Sequence, residues 1–139
     1  GIKNRQLVMA NGGVIGRVSQ VNENSSKVSL LSSDKGIDAK IPVRLGSPSD
    51  PVNGLLASYD DDQNAYVVTS LVGEGNIEKG SQVVTSGLGG DSPRGLLLGT
   101  VIDVKETDQG LNRKVYVKPA SNLYDIRFVF VIQGMIGGN

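Results

Sequence analysis

The chain has 139 residues with 14 basic and 14 acidic side chains, so its formal net charge is zero and it lacks the charge excess that draws proteins to nucleic acids or anionic membranes. It contains no cysteine and no histidine, which excludes disulfides, thiolate nucleophiles, the common zinc and haem sites and any imidazole base. We therefore expect no cofactor, no metal site and no nucleic-acid partner.

The first repeat lies near the start of the chain. Residues 1–12 show no periodic pattern and are predicted to be a connector. Residues 13–21 then run GVIGRVSQV, a glycine and a short apolar run followed by the spacing Gly-x-Val-x-x-Val. A polar turn at 22–26 and a return strand at 27–31 complete a predicted hairpin.

The middle of the chain predicts an edge strand and a second hairpin. Residues 39–45 alternate between apolar and polar or proline positions, which is typical of a half-buried strand. Pro42 has no backbone N–H, so we expect this strand at a sheet edge or beside a bulge. The breaker-rich residues 46–53 are predicted to be an exposed loop, and residues 54–58 and 65–72 a hairpin.

The second repeat follows a glycine-rich stretch at 73–80 and a strand at 82–85. Residues 95–104 run GLLLGTVIDV, again a glycine, an apolar run and Gly-x-Val-x-x-Val, with a return strand at 114–117. The chain is thus predicted to be internally duplicated, with domains at 13–74 and 75–133 and strand exchange between them as an option. A two-sided apolar strand at 127–132 and a flexible tail at 134–139 end the sequence.

The spacing inside each repeat predicts a bent strand. Val18 and Val21, like Val101 and Val104, are three residues apart, and a flat strand would send them to opposite faces. A β-bulge or glycine kink would turn both inward, and such bends curl small sheets into barrels. A helical turn is the alternative, but the glycines and β-branched residues oppose it. We predict an all-β fold of docked barrels with very little helix.

Glycines and acidic residues form two motifs that resemble ligand sites. The loop at 86–90 lacks the lysine and the helix of a phosphate loop. The three consecutive aspartates at 60–62 lack the alternate spacing of the ligands in a calcium loop. The first is predicted to be a structural turn and the second a solvated hairpin tip. Seven glycines are predicted to be structural, through positive φ or close chain approach: Gly13, Gly16, Gly87, Gly89, Gly90, Gly95 and Gly99.

Catalysis has little support in the residue types. A Ser–His–Asp triad cannot form without histidine, so a two-barrel hydrolase would need a Ser–Lys pair, for instance with Ser86. An adaptor domain of an efflux or secretion assembly is a second alternative. We predict no enzyme and a binding module instead, with partner contacts at a sheet edge and exposed apolar loops: Pro42, Leu55, Leu56, Leu88 and Leu111. The alternative for these leucines is ordinary core or rim packing.

Several segments in order carry a family resemblance. VVTSGLGG at 83–90, followed by PRGLLLGTV at 93–101, resembles the C-terminal region of the MreC family of rod shape-determining proteins. GVIGRV at 13–18, IPVR at 41–44 and VYVKPA at 115–120 are similar to further strands of that family. The three aspartates at 60–62 and the glycine-rich tail depart from it.

The resemblance implies two six-stranded barrels and a place outside the bacterial cell membrane. It implies an anchor helix and a coiled coil that precede this fragment, whose own sequence has no stretch that could cross a bilayer. It also implies a scaffold of cell-wall elongation that self-associates as dimers or filaments. The implied partners are MreD, a class B penicillin-binding transpeptidase, the glycosyltransferase RodA and, indirectly, MreB.

Overall fold

A computed structural model of the protein describes residues 6–10, 12–21, 26–33, 40–88, 93–107, 112–121 and 130–131. This part of the chain is almost entirely β-structure, with one 3-10 turn at Leu31–Ser33, which confirms the all-β prediction. None of its helices could span a membrane. The strands are β1 Leu7–Ala10, β2 Gly13–Val21, β3 Ser26–Leu30, β4 Ile41–Ser47, β5 Asp50–Asp60, β6 Ala65–Val72, β7 Gln82–Thr85, β8 Leu97–Thr107, β9 Asn112–Pro119 and β10 Phe130–Val131.

Six of these strands form a closed barrel in the order β4-β5-β6-β9-β8-β7. The barrel closes where β4 pairs with β7, at Val43 with Thr85 and Arg44 with Val84. Alternate residues of each strand point inward and form one apolar core, as the pattern at 39–45 predicted. The predicted domain boundary between residues 74 and 75 falls inside this barrel, which takes three strands from each side, so it does not separate two barrels.

The remaining strands form a four-stranded sheet in the order β10-β1-β2-β3. Residues 7–10, predicted to belong to a connector, are its strand β1, because they pair with β2 on one side and β10 on the other. Of the predicted last strand, Phe130 and Val131 are described. A second closed barrel is not found within the described residues, and the tail at 134–139 lies outside them.

Two three-stranded units share their pairing pattern. In β1-β2-β3, Val8 pairs with Gly16 and Met9 with Val14, which leaves Ile15 as a bulge. In β7-β8-β9, Val83 pairs with Gly99 and Val84 with Leu97, which leaves Leu98 at the matching position.

Each unit has a second bulge, three residues after Gly16 in the first and three residues after Gly99 in the second. Ser19 is unpaired between β2 and β3, and Ile102 is unpaired between β8 and β9. The bulge at Ile102 keeps Val101 and Val104 on the same side, where both contact the barrel core. This confirms the predicted bend in the second repeat; the side chain of Val21 in the first lies outside the described residues.

The sheet packs on the barrel through shared core residues. Leu7, Val14 and Leu31 belong to the same apolar cluster as the barrel interior. The hydroxyl of Tyr66, on β6, donates to the carbonyl oxygen of Val14 at 3.3 Å. Beside it, the Ser121 hydroxyl donates to the carbonyl oxygen of Ala10. Apolar contact and two buried hydrogen bonds therefore fix the sheet against the barrel.

Two predictions for the middle of the chain are wrong. Of the two settings predicted for Pro42, the sheet edge is wrong, because β4 pairs with β5 on one side and β7 on the other. The partner of Pro42, Leu55, does lie beside a bulge between β5 and β6. Pro42 is accommodated because the pairing with β7 starts one residue later, at Val43. The predicted loop at 46–53 is mostly strand, since β4 and β5 pair to Ser47 and Asp50 and leave a two-residue turn. The hairpin of β5 and β6 is confirmed.

Candidate functional site

The described residues offer no catalytic or metal-binding arrangement. They contain no group of acidic side chains that could hold a metal ion. Ser86 accepts a hydrogen bond from the backbone N–H of Leu88 at 3.2 Å, and no lysine within the described ranges hydrogen-bonds to its hydroxyl. Its surroundings therefore give no support to a Ser–Lys pair.

Tyr66 is a buried titratable side chain of the barrel. Desolvation by burial raises the pKa of Tyr66 far above its usual value, and the neighbouring Tyr59 adds to the rise. The two rings meet edge to face with centroids 5.6 Å apart. Because the Tyr66 hydroxyl donates to Val14, this group joins the barrel to the sheet and is not a candidate acid or base.

Two of the predicted partner-binding residues lie side by side on the outside of the barrel. Pro42 on β4 pairs directly with Leu55 on β5, and both side chains are half-buried and point away from the core. Leu56 was predicted to be an exposed loop residue, and this is wrong, because it is fully buried in the barrel core. Leu111 lies outside the described residues.

Leu88 lies on the loop that leaves β7 beside Pro42. The backbone N–H of Ser86 donates to the carbonyl oxygen of Pro42 at 3.0 Å, and two residues later Leu88 is 57% exposed. Cross-strand pairs continue the surface from Arg44 to Val84 and from Val84 to Leu97. We call this surface the β4 outer face; it consists of Pro42, Arg44, Leu55, Val84, Leu88 and Leu97.

Both ends of the loop at 86–95 are tied to the barrel by Thr85, which is fully buried. Its hydroxyl donates to the carbonyl oxygen of Pro93 at 2.7 Å and accepts from the N–H of Leu96 at 2.9 Å. The N–H of Gly95 donates to the Thr85 carbonyl oxygen at 2.8 Å. The base of the loop that carries Leu88 is therefore held in one position.

The glycines of this region differ in what they do. Gly87 and Gly95 have φ values of 76° and 85°, which favour glycine. At Gly13 a Cβ would lie 2.9 Å from the Cβ of Ala120. Gly16 and Gly99 stand where the facing strand comes close, while Gly89 and Gly90 lie outside the described residues.

Sequence reasoning missed Val84 and Leu97 as members of the β4 outer face. Alternation within 82–85 could have placed Val84 opposite to the buried Val83. Leu97 had no such signal, because Leu96, Leu97 and Leu98 form an apolar run and only the bulge at Leu98 decides their faces. Their meeting with Pro42 depends on the closure of the barrel.

The aspartates at 60–62 form the predicted hairpin tip. The Asp60 carboxylate accepts hydrogen bonds from the backbone N–H groups of Asp62 and Gln63 at 2.8 and 3.2 Å, which is the usual role of aspartate in turns. Asp61 and Asp62 are exposed. One carboxylate is thus used by the turn and two face solvent.

Comparison with known proteins identifies the family. A family model described as rod shape-determining protein MreC, barrel core, matches residues 1–133. The cell shape-determining protein MreC of Listeria monocytogenes is 30% identical over 133 residues, which are 96% of this chain and 44% of that protein. The chain therefore spans less than half the length of this relative.

Solved structures agree with this result. The major periplasmic domain from the cell shape-determining filament MreC is 32% identical, with a TM-score of 0.78 over 87% of this chain and 72% of that chain. MreC from Helicobacter pylori, solved in a complex with a penicillin-binding protein (PBP2), has the same fold at 23% identity; its TM-score is 0.65 over 91% of this chain and 75% of that chain.

Proposed function

This chain belongs to the MreC family of rod shape-determining proteins, and we propose that it is the extracytoplasmic, non-catalytic part of a scaffold that binds cell-wall synthases. In this function it associates with copies of itself, with a class B penicillin-binding transpeptidase and RodA, with MreD, and indirectly with MreB. A membrane anchor in the longer protein holds it at the outer surface of the cell membrane.

One observation carries this proposal: the family member of Helicobacter pylori forms a complex with PBP2. The related periplasmic domain belongs to a protein described as a cell shape-determining filament, which supports self-association in the same way. The residue chemistry agrees, since this chain has no histidine or cysteine and its described residues form no metal cluster.

The β4 outer face is the surface we propose for the synthase contact. Its apolar side chains other than Leu88 lie on paired strands of a closed barrel, so little conformational entropy is lost when a partner covers them. Leu88 is its most exposed apolar member at 57%, so a partner that covers it removes apolar surface from water. Attachment of both proteins to one membrane raises their effective concentration, so a modest affinity suffices.

Substitution of the apolar anchors tests the surface. We expect Leu88→Asp and Leu55→Asp each to weaken binding of the extracytoplasmic part of the class B transpeptidase from the same bacterium by about tenfold, which is roughly 1.4 kcal/mol. Biolayer interferometry with the immobilised transpeptidase measures this, and thermal melting confirms that the variants remain folded.

Ser49→Asp is the matched control, because it adds the same charge in the exposed turn between β4 and β5. It should bind as the unsubstituted chain does. Unchanged affinity of both leucine variants for the transpeptidase would show that the β4 outer face is not the surface that binds it. Failure of the unsubstituted chain to bind the transpeptidase at all would remove the synthase contact itself.

A further inference from the structure

A cleft on the opposite side of the barrel has a floor and two oppositely charged walls. Its volume is about 420 Å³, within the range of roughly 300 to 1,000 Å³ that small-molecule sites occupy. It lies between the hairpin tip of β5 and β6 and the outer face of β9, and its lining includes Asp60, Asp61, Asp62, Lys114 and Tyr116.

Tyr116 forms the floor and has an unused hydroxyl. The side chain is 8% exposed, and its hydroxyl makes no hydrogen bond within the described part of the chain. The Tyr116 oxygen is accessible to solvent, because the one fully buried polar side-chain atom without a hydrogen-bond partner among the described residues is Nε of Arg17. Tyr116 lines the cleft. The ammonium of Lys105 lies 5.0 Å from the ring centroid and helps to hold the ring in place.

The two walls carry unpaired charges of opposite sign. Asp60 is engaged by its own turn, which leaves the exposed carboxylates of Asp61 and Asp62 on one side. Lys114 is exposed on the other side, and across the described ranges it forms no ion pair with either aspartate. The walls are therefore too far apart to neutralise each other directly and are free to meet a ligand.

This charge arrangement limits the class of ligand. A polyanion would be repelled by the aspartates, a simple cation would leave Lys114 unused, and a neutral sugar could hydrogen-bond to both walls but would neutralise neither charge. A ligand with an ammonium group at one end and a carboxylate at the other satisfies both, with charge-assisted hydrogen bonds at each end. The Tyr116 hydroxyl would donate a third hydrogen bond, to a carbonyl oxygen of the ligand between its ammonium group and its carboxylate.

We propose that the cleft between Asp61, Asp62 and Lys114 binds a zwitterionic ligand of dipeptide size, with its ammonium group at the aspartates and its carboxylate at the lysine. Nothing in this assignment depends on the scaffold function. A ligand this small in an open cleft is expected to bind with a dissociation constant on the order of 1 mM.

Titration of the 139-residue chain with L-alanyl-L-alanine, followed by chemical shifts of its 15N-labelled backbone amides, tests the proposal. We expect saturable shifts at residues 58–62, 67 and 114–116. The N-acetylated and the C-amidated dipeptides should each bind at least tenfold more weakly, because each lacks one of the two charges.

Variants of the chain test the individual contacts. Lys114→Gln and the double variant Asp61→Asn with Asp62→Asn remove charge from exposed side chains and should weaken binding at least tenfold, whereas Tyr116→Phe should weaken it about threefold. Lys79→Gln and Glu78→Gln, both exposed and outside the cleft, should bind as the unsubstituted chain does. The proposal is overturned by absent saturation, by shifts outside the cleft, by equal binding of the blocked dipeptides, or by wall variants that bind normally.

Discussion

Two glycines at equivalent positions of the repeats are required by close contact between strands. A Cβ on Gly16 would lie 2.4 Å from the carbonyl oxygen of Ser29, and one on Gly99 would lie 1.9 Å from that of Lys118. In each case the obstacle is backbone of the paired strand, which cannot rotate away as a side chain can. Neither glycine has a positive φ. Glycine is therefore required at these two positions because it has no side chain, and not because of its backbone freedom.

Gly99→Ala should therefore destabilise the chain strongly. We expect a loss of more than about 3 kcal/mol in the free energy of unfolding, because the pairing of β8 with β9 must open to admit the methyl group. Urea denaturation followed by circular dichroism measures it.

Gly80→Ala is the control for this substitution. Gly80 has a φ of 90° and no atom within 4 Å of a Cβ, so it tests backbone strain without a clash. A cost of about 1 kcal/mol is expected there. Equal costs at the two positions would show that contact between the strands is not the cause.

At the scale of elements, bulges decide which side chains enter the core. Between β8 and β9 the pairing passes from Val101 with Val117 to Asp103 with Tyr116, and Ile102 is the extra residue. Val104 therefore packs on the barrel core, while Ile102 contacts an outer cluster that includes Val67 and Tyr116. If Ile102 were itself paired with Tyr116 in a regular ladder, every later residue of β8 would change face.

Deletion of Ile102 should accordingly straighten β8 and leave its later residues on their present faces. Val101 would still pair with Val117 and Asp103 with Tyr116, so Val104 would still point to the core. We expect a sigmoidal unfolding transition by circular dichroism, with a larger loss of stability than Ile102→Ala because the bend of β8 is lost as well as the side chain.

Ile102→Ala retains the backbone of the bulge and serves as the comparison. It should keep a cooperative transition and lose about 1 to 2 kcal/mol, since Ile102 is only partly buried. A deletion variant without a cooperative transition would contradict the assignment of Ile102 as the extra residue of the bulge.

For the molecule as a whole, the barrel and the sheet are joined at Tyr66. Its ring lies in the shared core, its hydroxyl donates to the Val14 carbonyl oxygen on β2, and burial raises its pKa. In the unfolded chain the pKa of a tyrosine is about 10. The folded state therefore retains the Tyr66 proton at pH values where the unfolded state releases it.

This difference predicts an alkaline loss of stability. Below pH of about 10 the contribution of Tyr66 is fully present, and above it stability falls by about 1.4 kcal/mol per pH unit, because only the unfolded chain gains by losing the proton. Tyr66→Phe should cost about 1 kcal/mol at neutral pH and should lose less stability between pH 10 and 11 than the unsubstituted chain. Urea denaturation across that range measures both; parallel pH profiles would contradict the assignment.

Local sequence patterns are sufficient to specify the secondary structure of this protein and its family. The alternation at 39–45, the Gly-x-Val-x-x-Val spacing and the order of the strands are local properties, and they predicted β-structure, a bend near Ile102 and the resemblance to MreC. The absence of histidine and cysteine likewise limits the chemistry open to the chain, whatever its fold.

How the strands are joined, and which of them meet, depends on the tertiary structure. Pro42 looked like an edge residue and Leu56 like a loop residue, since no local pattern shows that β4 pairs with β7 or that β5 begins inside the breaker-rich residues 46–53. The same applies to the strands on either side of residues 74 and 75, which meet in one barrel: closure between residues about forty positions apart, such as Val43 and Thr85, is a long-range choice. That choice depends on which distant apolar faces can be buried together, and sequence periodicity carries no information about it.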